Sequence, residues 1–173
     1  MTTLLWQPPV DVRDRTEIGR YLAWLERHTG RSFGSYRELW QWSVDDLDGF
    51  WSSIWQFFDV TAYHPYEQVV AHRSMPGTVW FPGAALNYAE HALRPFSEHG
   101  NRPAVIAHSQ SRPPVILSGG ELRAQVARAR AGLQRLGVRR GDRVAAYLPN
   151  IPETLVAFLA TASLGAIWSS CAP

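Results

Sequence analysis

The chain has 173 residues, of which 46% are hydrophobic, and its seventeen basic and fifteen acidic side chains give a formal net charge of +2. These values are typical of a globular chain, and they exclude a membrane span, because no apolar run approaches the roughly eighteen residues that a span needs. The small net charge argues against nucleic acid as a partner, and the N-terminus lacks the basic start and apolar core of a secretory signal, so we expect a cytoplasmic protein.

The first predicted helix belongs to a helical, aromatic-rich extension that we assign to residues 1–75. Asp14 with Glu17 predicts the start of this helix, and Gly30 predicts its end. The apolar residues between these signals recur at the spacing of an amphipathic helix and share one face. They are Ile18, Tyr21, Leu22 and Leu25.

Two further helices are predicted from capping signals. Ser35 with Glu38 marks one start, and Ser43 with Asp46 marks the start of a longer helix from about 44 to 58. Large aromatic rings crowd this stretch and are costly to leave in water, so we expect the region to dock onto a larger body. The rings are those of Trp40, Trp42, Phe50, Trp51, Trp55 and Phe57.

Residues 76–102 are predicted to form a connecting segment. Its two Pro-Gly dipeptides favour turns, and one short helix is expected to begin near Ala84. His72 and His91 have no Cys, Asp or Glu at a metal-like spacing from both of them. We therefore expect hydrogen-bonded structural roles for the two histidines, and we predict no metal site.

Residues 103–173 are predicted to begin a sheet domain. Ala104–Ala107 and Pro114–Leu117 are short apolar runs around a polar turn, which predicts a small hairpin. Ser118 with Glu121 forms a capping box that opens a helix. The apolar stripe of that helix comprises Leu122, Val126, Ala129, Leu133 and Leu136, and Gly137 follows it as an end signal.

A strand, a buried helix and a second strand are predicted next. Arg143–Leu148 is a short apolar run after a Gly-Asp turn, and Ala166–Ser169 begins the second strand. Asn150 is predicted to cap the intervening helix, with Glu153 returning the bond. This order predicts an α/β fold in which a helical extension precedes the beginning of a doubly wound, largely parallel sheet.

Several features that suggest chemistry are better explained as structural. Gly119-Gly120 precedes a helix but lacks the GxxxxGK spacing of a phosphate loop, so we interpret the pair as a turn. Asp142 is interpreted as a turn-forming residue. The single cysteine, Cys171, excludes a disulfide framework and a thiolate metal cluster, and we interpret it as a core thiol.

The basic residues of the chain are all arginine, so no lysine is present to contact transferred phosphate. Seven of them form a dense segment without the interleaved aromatic residues that stack bases, which favours a solvated helix face. They are Arg123, Arg128, Arg130, Arg135, Arg139, Arg140 and Arg143.

Three stretches of the sequence resemble the adenylate-forming acyl-CoA synthetases. WFPGAALNYAEHAL (Trp80–Leu93) and LGVRRGDRVAAYLPNIPETLVAFLATASLGAIWSS (Leu136–Ser170) are similar to the front of these enzymes, and YRELWQWSVDDLDGFW (Tyr36–Trp51) resembles the N-terminal extension of their acetyl-CoA synthetase branch. The WFPGAxLNYAE wording and the ending SSCAP are most similar to the acetoacetate:CoA ligases within that branch. The resemblance covers nearly the whole chain.

The resemblance implies a two-step, ATP-dependent ligase. In that family a carboxylate, here acetoacetate, attacks the α-phosphate of ATP to give an acyl-adenylate and pyrophosphate, and CoA thiolate then displaces AMP, with Mg2+ screening the phosphates. The family's phosphate loop, adenine motif, ribose-binding aspartate and catalytic lysine all match positions beyond Pro173, so no catalytic residue is assigned. Ala172 and Pro173 match positions near the CoA channel of acetate enzymes and are expected to border it.

We expect this chain to be the N-terminal portion of such a ligase, holding an incomplete large adenylation domain. Alone, it is expected to be inactive, to bind ATP, CoA and Mg2+ without high affinity, and to lack the rest of its own polypeptide as packing partner. Two alternatives stay open: a non-catalytic interaction module that docks on a full-length ligase, and a ligase for another short-chain acid. No membrane or nucleic-acid partner is expected.

Overall fold

The computed structural model describes residues 4–173, and the chain divides into two compact units, one ending at Ala85 and one from Leu86 to Pro173. The predicted connecting segment 76–102 is thereby shared between the two units. The first unit is mainly helical, and the second contains a hairpin, two main helices and a parallel strand pair.

The described part of the first unit contains four helices: α1 (Val12–Arg15), α2 (Glu17–Thr29), α3 (Tyr36–Asp45) and α4 (Leu47–Phe57). Helix α2 ends where predicted, at Gly30 with a φ of 70°. Its start differs from the prediction, because Asp14 lies inside α1 and Thr16 is the cap, accepting the Gly19 N–H through its hydroxyl at 3.2 Å. A side-chain acceptor three residues before a free amide decides the boundary.

The predicted start of α3 is confirmed, but the predicted start of α4 is wrong. Ser35 accepts from Glu38 N–H at the head of α3. Ser43 lies inside α3, where its hydroxyl donates to the Trp40 carbonyl at 2.7 Å. Asp46, expected to return a bond in the first turn of α4, is itself the N-cap of α4. A serine within a helix commonly bonds back to the preceding turn, which mimics a capping signal in the sequence.

The core of the first unit is aromatic. Tyr21, Leu25, Leu39 and Trp42 are buried together, whereas Ile18, expected on the same face of α2, is 40% exposed. The partly buried residues packed against this core are Leu22, Trp24, Phe33, Phe50, Ile54 and Phe57. Two edge-to-face contacts, Tyr21 with Phe50 and Trp42 with Phe50, join the helices at ring-centre distances of 6.3 and 5.6 Å.

The remaining rings of α4 contact the segment that follows it in the same unit. Trp51 packs edge-on against Trp80 and Trp55 contacts Phe81, at ring-centre distances of 5.5 and 4.8 Å. This segment carries the short antiparallel strands β1 (Val70–His72) and β2 (Val79–Trp80). The expectation that the aromatic helices need a docking partner is therefore met in part within the unit itself.

The second unit begins with helix α5 (Tyr88–Leu93), followed by one 3-10 turn. The expected start near Ala84 is wrong, because Asn87 is the cap and its Oδ1 accepts the amides of Ala89 and Glu90. Asn87 also donates through Nδ2 to the Ala162 carbonyl at 2.9 Å. One side chain thus sets the helix start and fixes α5 to a later helix.

The predicted hairpin and its following helix are confirmed. Strands β3 (Pro103–Ala107) and β4 (Val115–Ser118) pair antiparallel, and helix α6 (Gly119–Arg135) opens with the complete capping box of Ser118 and Glu121. The core beneath α6 consists of Ala89, Leu122, Val126, Val156, Leu159 and Ala160.

Leu136 is predicted to belong to the apolar stripe of α6, but this prediction is wrong, since the residue is 82% exposed. Helix α6 ends in two bonds, Gly137 N–H to the Gln134 carbonyl and Val138 N–H to the Leu133 carbonyl, with Gly137 at a φ of 88°. This is the Schellman arrangement, which reverses the chain after the cap residue. The reversal leaves Leu136 in solvent and places Val138 half-buried.

The strand–helix–strand unit is confirmed as parallel. Strand β5 (Arg143–Tyr147), helix α7 (Pro152–Ser163) and strand β6 (Ile167–Cys171) follow in order, and β5 pairs with β6 from Arg143 opposite Ile167 to Tyr147 opposite Cys171. This arrangement is the beginning of a doubly wound α/β sheet.

The predicted Asn150 cap of α7 is wrong. Ile151 occupies the cap position without a side-chain bond, Pro152 begins the helix, and Asn150 is exposed. Proline is favoured at the first helical position because it already has the required φ, and the amide it lacks is one that a helix start leaves unbonded within the helix. The cap position therefore belongs to Ile151 and not to Asn150. Helix α7 buries Val156, Leu159, Ala160 and Thr161, but Leu155 is 37% exposed, so the helix is not covered on every side.

Candidate functional site

The carboxyl edge of the β5–β6 pair, formed by residues 147–151 and 171–173, is the candidate functional site. Open parallel sheets bind ligands at the carboxyl ends of their strands. Pairing continues to this edge, where Leu148 N–H donates to the Cys171 carbonyl at 3.3 Å. Ala172 and Pro173 follow directly and are exposed.

Cys171 is exposed at this edge, so its interpretation as a core thiol is wrong. It pairs with Tyr147, which is 69% exposed, and both side chains lie on the strand face that leaves Ala145 and Ser169 exposed as well. Strand positions two residues apart share a face, and this one is uncovered within the described residues 4–173. The edge therefore presents apolar and hydroxyl surface without a base beside a nucleophile.

The Gly119-Gly120 pair contributes no phosphate-binding amides. Gly119 N–H donates to the Arg102 carbonyl and Gly120 N–H to the Gly100 carbonyl, each at 2.8 Å. A Cβ at Gly119 would lie 2.3 Å from the Phe96 ring. The two glycines permit close packing at the first turn of α6, which differs from the turn role expected for them and also from a phosphate loop.

Asp142 and the two histidines named from the sequence lie outside the carboxyl edge formed by residues 147–151 and 171–173. Asp142 forms a turn as predicted, since its carboxylate accepts the Arg139 N–H at 2.7 Å. His72 lies in β1 and His91 in α5. Across residues 4–173, no group of three or more His, Cys, Asp or Glu side chains is arranged to hold a metal ion. The same residues include no helix long and apolar enough to cross a membrane.

Within residues 4–173, Tyr21, Asp46 and Glu121 have shifted pKa values, and each shift has a structural cause. Burial raises the pKa of the Tyr21 hydroxyl, which is bonded to Ser53 at 2.6 Å. The Gly49 N–H, followed by the Trp42 indole N–H, lowers the pKa of Asp46. The backbone N–H and then the hydroxyl of Ser118 lower the pKa of Glu121. Helix capping and core packing thus account for groups that could otherwise suggest an active site.

Asn87 is a structural residue that sequence reasoning missed. Its bond to Ala162 connects α5 with α7, the helix that leads from β5 to β6. The available signal was Asn87 followed three residues later by Glu90, an N-cap pattern at least as good as a start at Ala84.

Two family models match the chain. The model described as acetyl-coenzyme A synthetase N-terminus matches residues 36–92, and the model described as AMP-binding enzyme matches residues 93–173. The two matches together cover the aromatic helices α3 and α4 and all of the α/β part.

Named relatives match nearly the whole chain. Acetoacetyl-coenzyme A synthetase of Rhizobium meliloti is 38% identical over 169 residues, which are 98% of this chain and 26% of the relative. The malonamoyl-CoA synthetase vrtB of Penicillium aethiopicum is 34% identical over 163 residues, which are 91% of this chain and 22% of that relative.

A solved structure, acetoacetyl-CoA synthetase from Streptomyces lividans, superposes with a TM-score of 0.90 at 47% identity, covering 99% of this chain and 27% of that one. The chain therefore spans about a quarter of the length of the curated relatives it matches.

Proposed function

We propose that this chain belongs to the AMP-binding enzyme family and forms the N-terminal portion of an ATP-dependent ligase that joins acetoacetate to CoA, as its similarity to acetoacetyl-CoA synthetases supports. The observation that carries the proposal is the match of 98% of the chain at 38% identity to a relative of that name. The parallel β5–α7–β6 unit supports it, since adenylation domains are built on such sheets. A cytoplasmic location is part of the same proposal.

In the proposed ligase this chain acts as scaffold. ATP, CoA and Mg2+ would serve the whole enzyme, but residues 4–173 do not fit a triphosphate or its metal ion. The sequence has no lysine, the Gly119 and Gly120 amides are committed to carbonyls, and no acidic cluster is present in that range. Phosphate binding needs free amides or cations at the site and Mg2+ needs carboxylates, and residues 147–151 and 171–173 of the carboxyl edge carry no basic or acidic side chain. We therefore derive no catalytic step from these residues.

The acyl group is the part of the proposal that an assay tests most directly. The full-length enzyme should release pyrophosphate from ATP with acetoacetate at a kcat/KM at least about tenfold higher than with acetate or malonamate. Site contacts to the second carbonyl distinguish acetoacetate from acetate, and contacts to the terminal methyl group distinguish it from malonamate, which has an amide nitrogen there. Malonamate is included because one relative is named for its CoA ester. An equal or higher kcat/KM with another acid would show that acetoacetate is not the preferred substrate. The proposal that the enzyme is an acid:CoA ligase would still stand.

We further propose that Ala172 and Pro173 border the CoA channel of the whole enzyme. Both residues are exposed at the carboxyl edge, where sheet ligands bind. Ala172→Trp in the full-length enzyme should raise the KM for CoA about tenfold or more and leave the KM for ATP within about twofold. A large ring at this position would narrow the CoA channel and leave the ATP site unchanged. The matched control is Gln134→Trp at an exposed position of α6. An unchanged KM for CoA in Ala172→Trp would remove these two residues from the channel.

A further inference from the structure

We propose that the end of α6 and the turn after it form a docking surface for an acidic polypeptide segment of another protein. We call this surface the arginine patch and define it by Arg135, Leu136, Arg139, Arg140 and Arg143. It lies outside the carboxyl edge, and the proposal does not depend on the reaction that the enzyme catalyses.

The charge distribution along the chain is the first argument. The second unit has ten arginines against five acidic residues, whereas the first unit has seven arginines against ten acidic residues. All five members of the arginine patch are exposed. Within residues 4–173, none of its four guanidinium groups takes part in an ion pair. Unpaired surface cations in such density create a positive potential that attracts carboxylates.

The acidic residues of α6 and of the turn after it are already bound to protein. The Glu121 carboxylate accepts from the Ser118 N–H and hydroxyl, both at 2.8 Å. The Asp142 carboxylate accepts the Arg139 backbone N–H at 2.7 Å. Each carboxylate is therefore held by hydrogen bonds within its own helix start or turn. Because neither carboxylate pairs with a guanidinium group of the arginine patch, those groups remain available to a partner.

The placement of the patch separates it from the candidate functional site. Gly141 N–H donates to the Gly165 carbonyl at 3.0 Å, and Arg143 pairs with Ile167 at the first register position of β5 and β6. The patch therefore lies at the amino edge of the strand pair. Sheet ligands bind at the opposite, carboxyl edge, so the arginines are not placed to contact the reacting groups.

Leu136 gives the patch its specificity. The Schellman end of α6 holds this side chain 82% exposed between Arg135 and the arginines of the turn. Stable protein–protein interfaces combine a desolvated apolar contact with polar pairs around it, and arginine is enriched in such interfaces. A segment whose carboxylates surround an apolar side chain would satisfy the guanidinium forks and cover Leu136 together.

Two other polyanions fit less well. Residues 119–143 contain no aromatic side chain, so the patch has nothing on which to stack bases. Leu136 is the only large hydrophobic side chain among them that is exposed, and one leucine beside basic residues is too small an anchor for a lipid surface. An acidic polypeptide is therefore the partner that the surface favours.

The test measures binding of a fluorescein-labelled peptide, three repeats of Glu-Glu-Leu-Glu, to the full-length protein. The salt concentration is about 0.15 M, at which charges are screened over a Debye length of about 8 Å. We expect saturable binding that weakens at least about tenfold in Arg139→Glu/Arg140→Glu. Leu136→Ser should weaken the leucine peptide several-fold and leave a serine version of the peptide unaffected. The matched control, Arg123→Glu/Arg130→Glu, makes the same charge change on α6 and should weaken binding less than about threefold.

Several results would overturn the proposal. These are no saturable peptide binding, an equal loss in the control variant, tighter binding of a mixed-sequence DNA strand or of anionic vesicles, and self-association that Arg139→Glu/Arg140→Glu abolishes. A lower melting temperature of the full-length Arg139→Glu/Arg140→Glu variant would mean that its own chain covers the patch. Ligase activity should stay unchanged in that variant, so failure of the binding proposal is separable from failure of the enzyme proposal.

Discussion

Single residues in this chain act mainly through helix ends. Asp46 shows this most clearly, because its carboxylate accepts the Gly49 N–H at 2.9 Å and the Trp42 indole N–H at 3.1 Å while Arg31 lies 3.5 Å away. One side chain therefore caps α4, holds a ring of α3 and pairs with a cation. The sequence pattern predicts Ser43 as the cap of α4 and Asp46 as its capping-box partner, so it missed this role. Both residues are possible caps by their spacing, and contacts in the folded structure decide between them.

The pH dependence of stability should reveal the Asp46 charge. Its folded pKa lies below the ordinary value of about 3.9, so the stabilisation is fully present above that value and is lost as the pH falls below it. Asp46→Asn keeps a capping oxygen but removes the charge. Thermal melts between pH 7 and pH 3 should show a smaller acid-induced loss for Asp46→Asn than for wild type. Asp14→Asn serves as the control and should follow wild type; identical slopes for all three proteins would refute the role.

Gly119 offers a sharper test of close packing. A Cβ at this position would lie 2.3 Å from the Phe96 ring, so Gly119→Ala should cost about 1–3 kcal/mol of unfolding free energy by overpacking. Gly132 lies in the same helix with nothing closer than 3.9 Å to its Cβ position. Gly132→Ala should therefore stabilise the protein by about 0.5–1 kcal/mol. Chemical denaturation measures both, and a stabilising Gly119→Ala would contradict the packing account.

At the scale of elements, periodicity and complete caps were reliable guides. The hairpin, the Ser118 capping box and the parallel β5–α7–β6 unit all follow the predicted pattern because local signals and tertiary packing agree there. The errors occur at boundaries. A Schellman end removed Leu136 from the core stripe, and the start of α7 at Pro152 gives the cap position to Ile151 and not to Asn150.

The candidate site was less predictable than the fold. Only the family resemblance pointed to Ala172 and Pro173, and sequence reasoning placed Cys171 in the core, because an Ala/Ser-rich strand end does not reveal which face remains uncovered. It also missed Asn87, whose partner Ala162 lies 75 positions away. Long-range bonds of this kind leave no local pattern.

The contact between α5 and α7 can be dissected at Asn87. Asn87→Asp retains the oxygen that caps α5 but loses the Nδ2 donor to Ala162. Asn87→Ala loses both and should cost about 1–2 kcal/mol, with Asn87→Asp intermediate. Amide hydrogen exchange should be faster in α5 for both variants. Equal stability of Asn87→Asp and Asn87→Ala would show that the capping oxygen contributes nothing.

At the scale of the whole molecule, the β5–β6 pair presents an apolar face. Tyr147 and Ile167 are 69% and 52% exposed on it. Parallel sheets are normally covered on both faces, and exposed apolar surface of this kind promotes association. The 173-residue chain alone should therefore bind a hydrophobic dye and associate on sizing chromatography, and Tyr147→Thr/Ile167→Thr should reduce both. A monomeric wild-type chain with little dye binding would contradict this expectation.

The two units also differ in what they bring to the proposed ligase. The first unit contributes an aromatic helical body, and the second contributes the opening of the parallel sheet with its carboxyl edge. The sequence contains no lysine, and the amides of Gly119 and Gly120 are bonded to carbonyls, so positioning is the contribution that this geometry supports.

Pyrophosphate release tests this account most directly. With ATP, Mg2+, CoA and acetoacetate, the full-length enzyme should turn over at an ordinary enzymatic rate of about 1 per second or more, whereas the purified 173-residue chain should release no pyrophosphate above background. Acetoacetate-dependent turnover by the 173-residue chain at a comparable rate, or none by the full-length protein with any short-chain acid, would contradict the central claim.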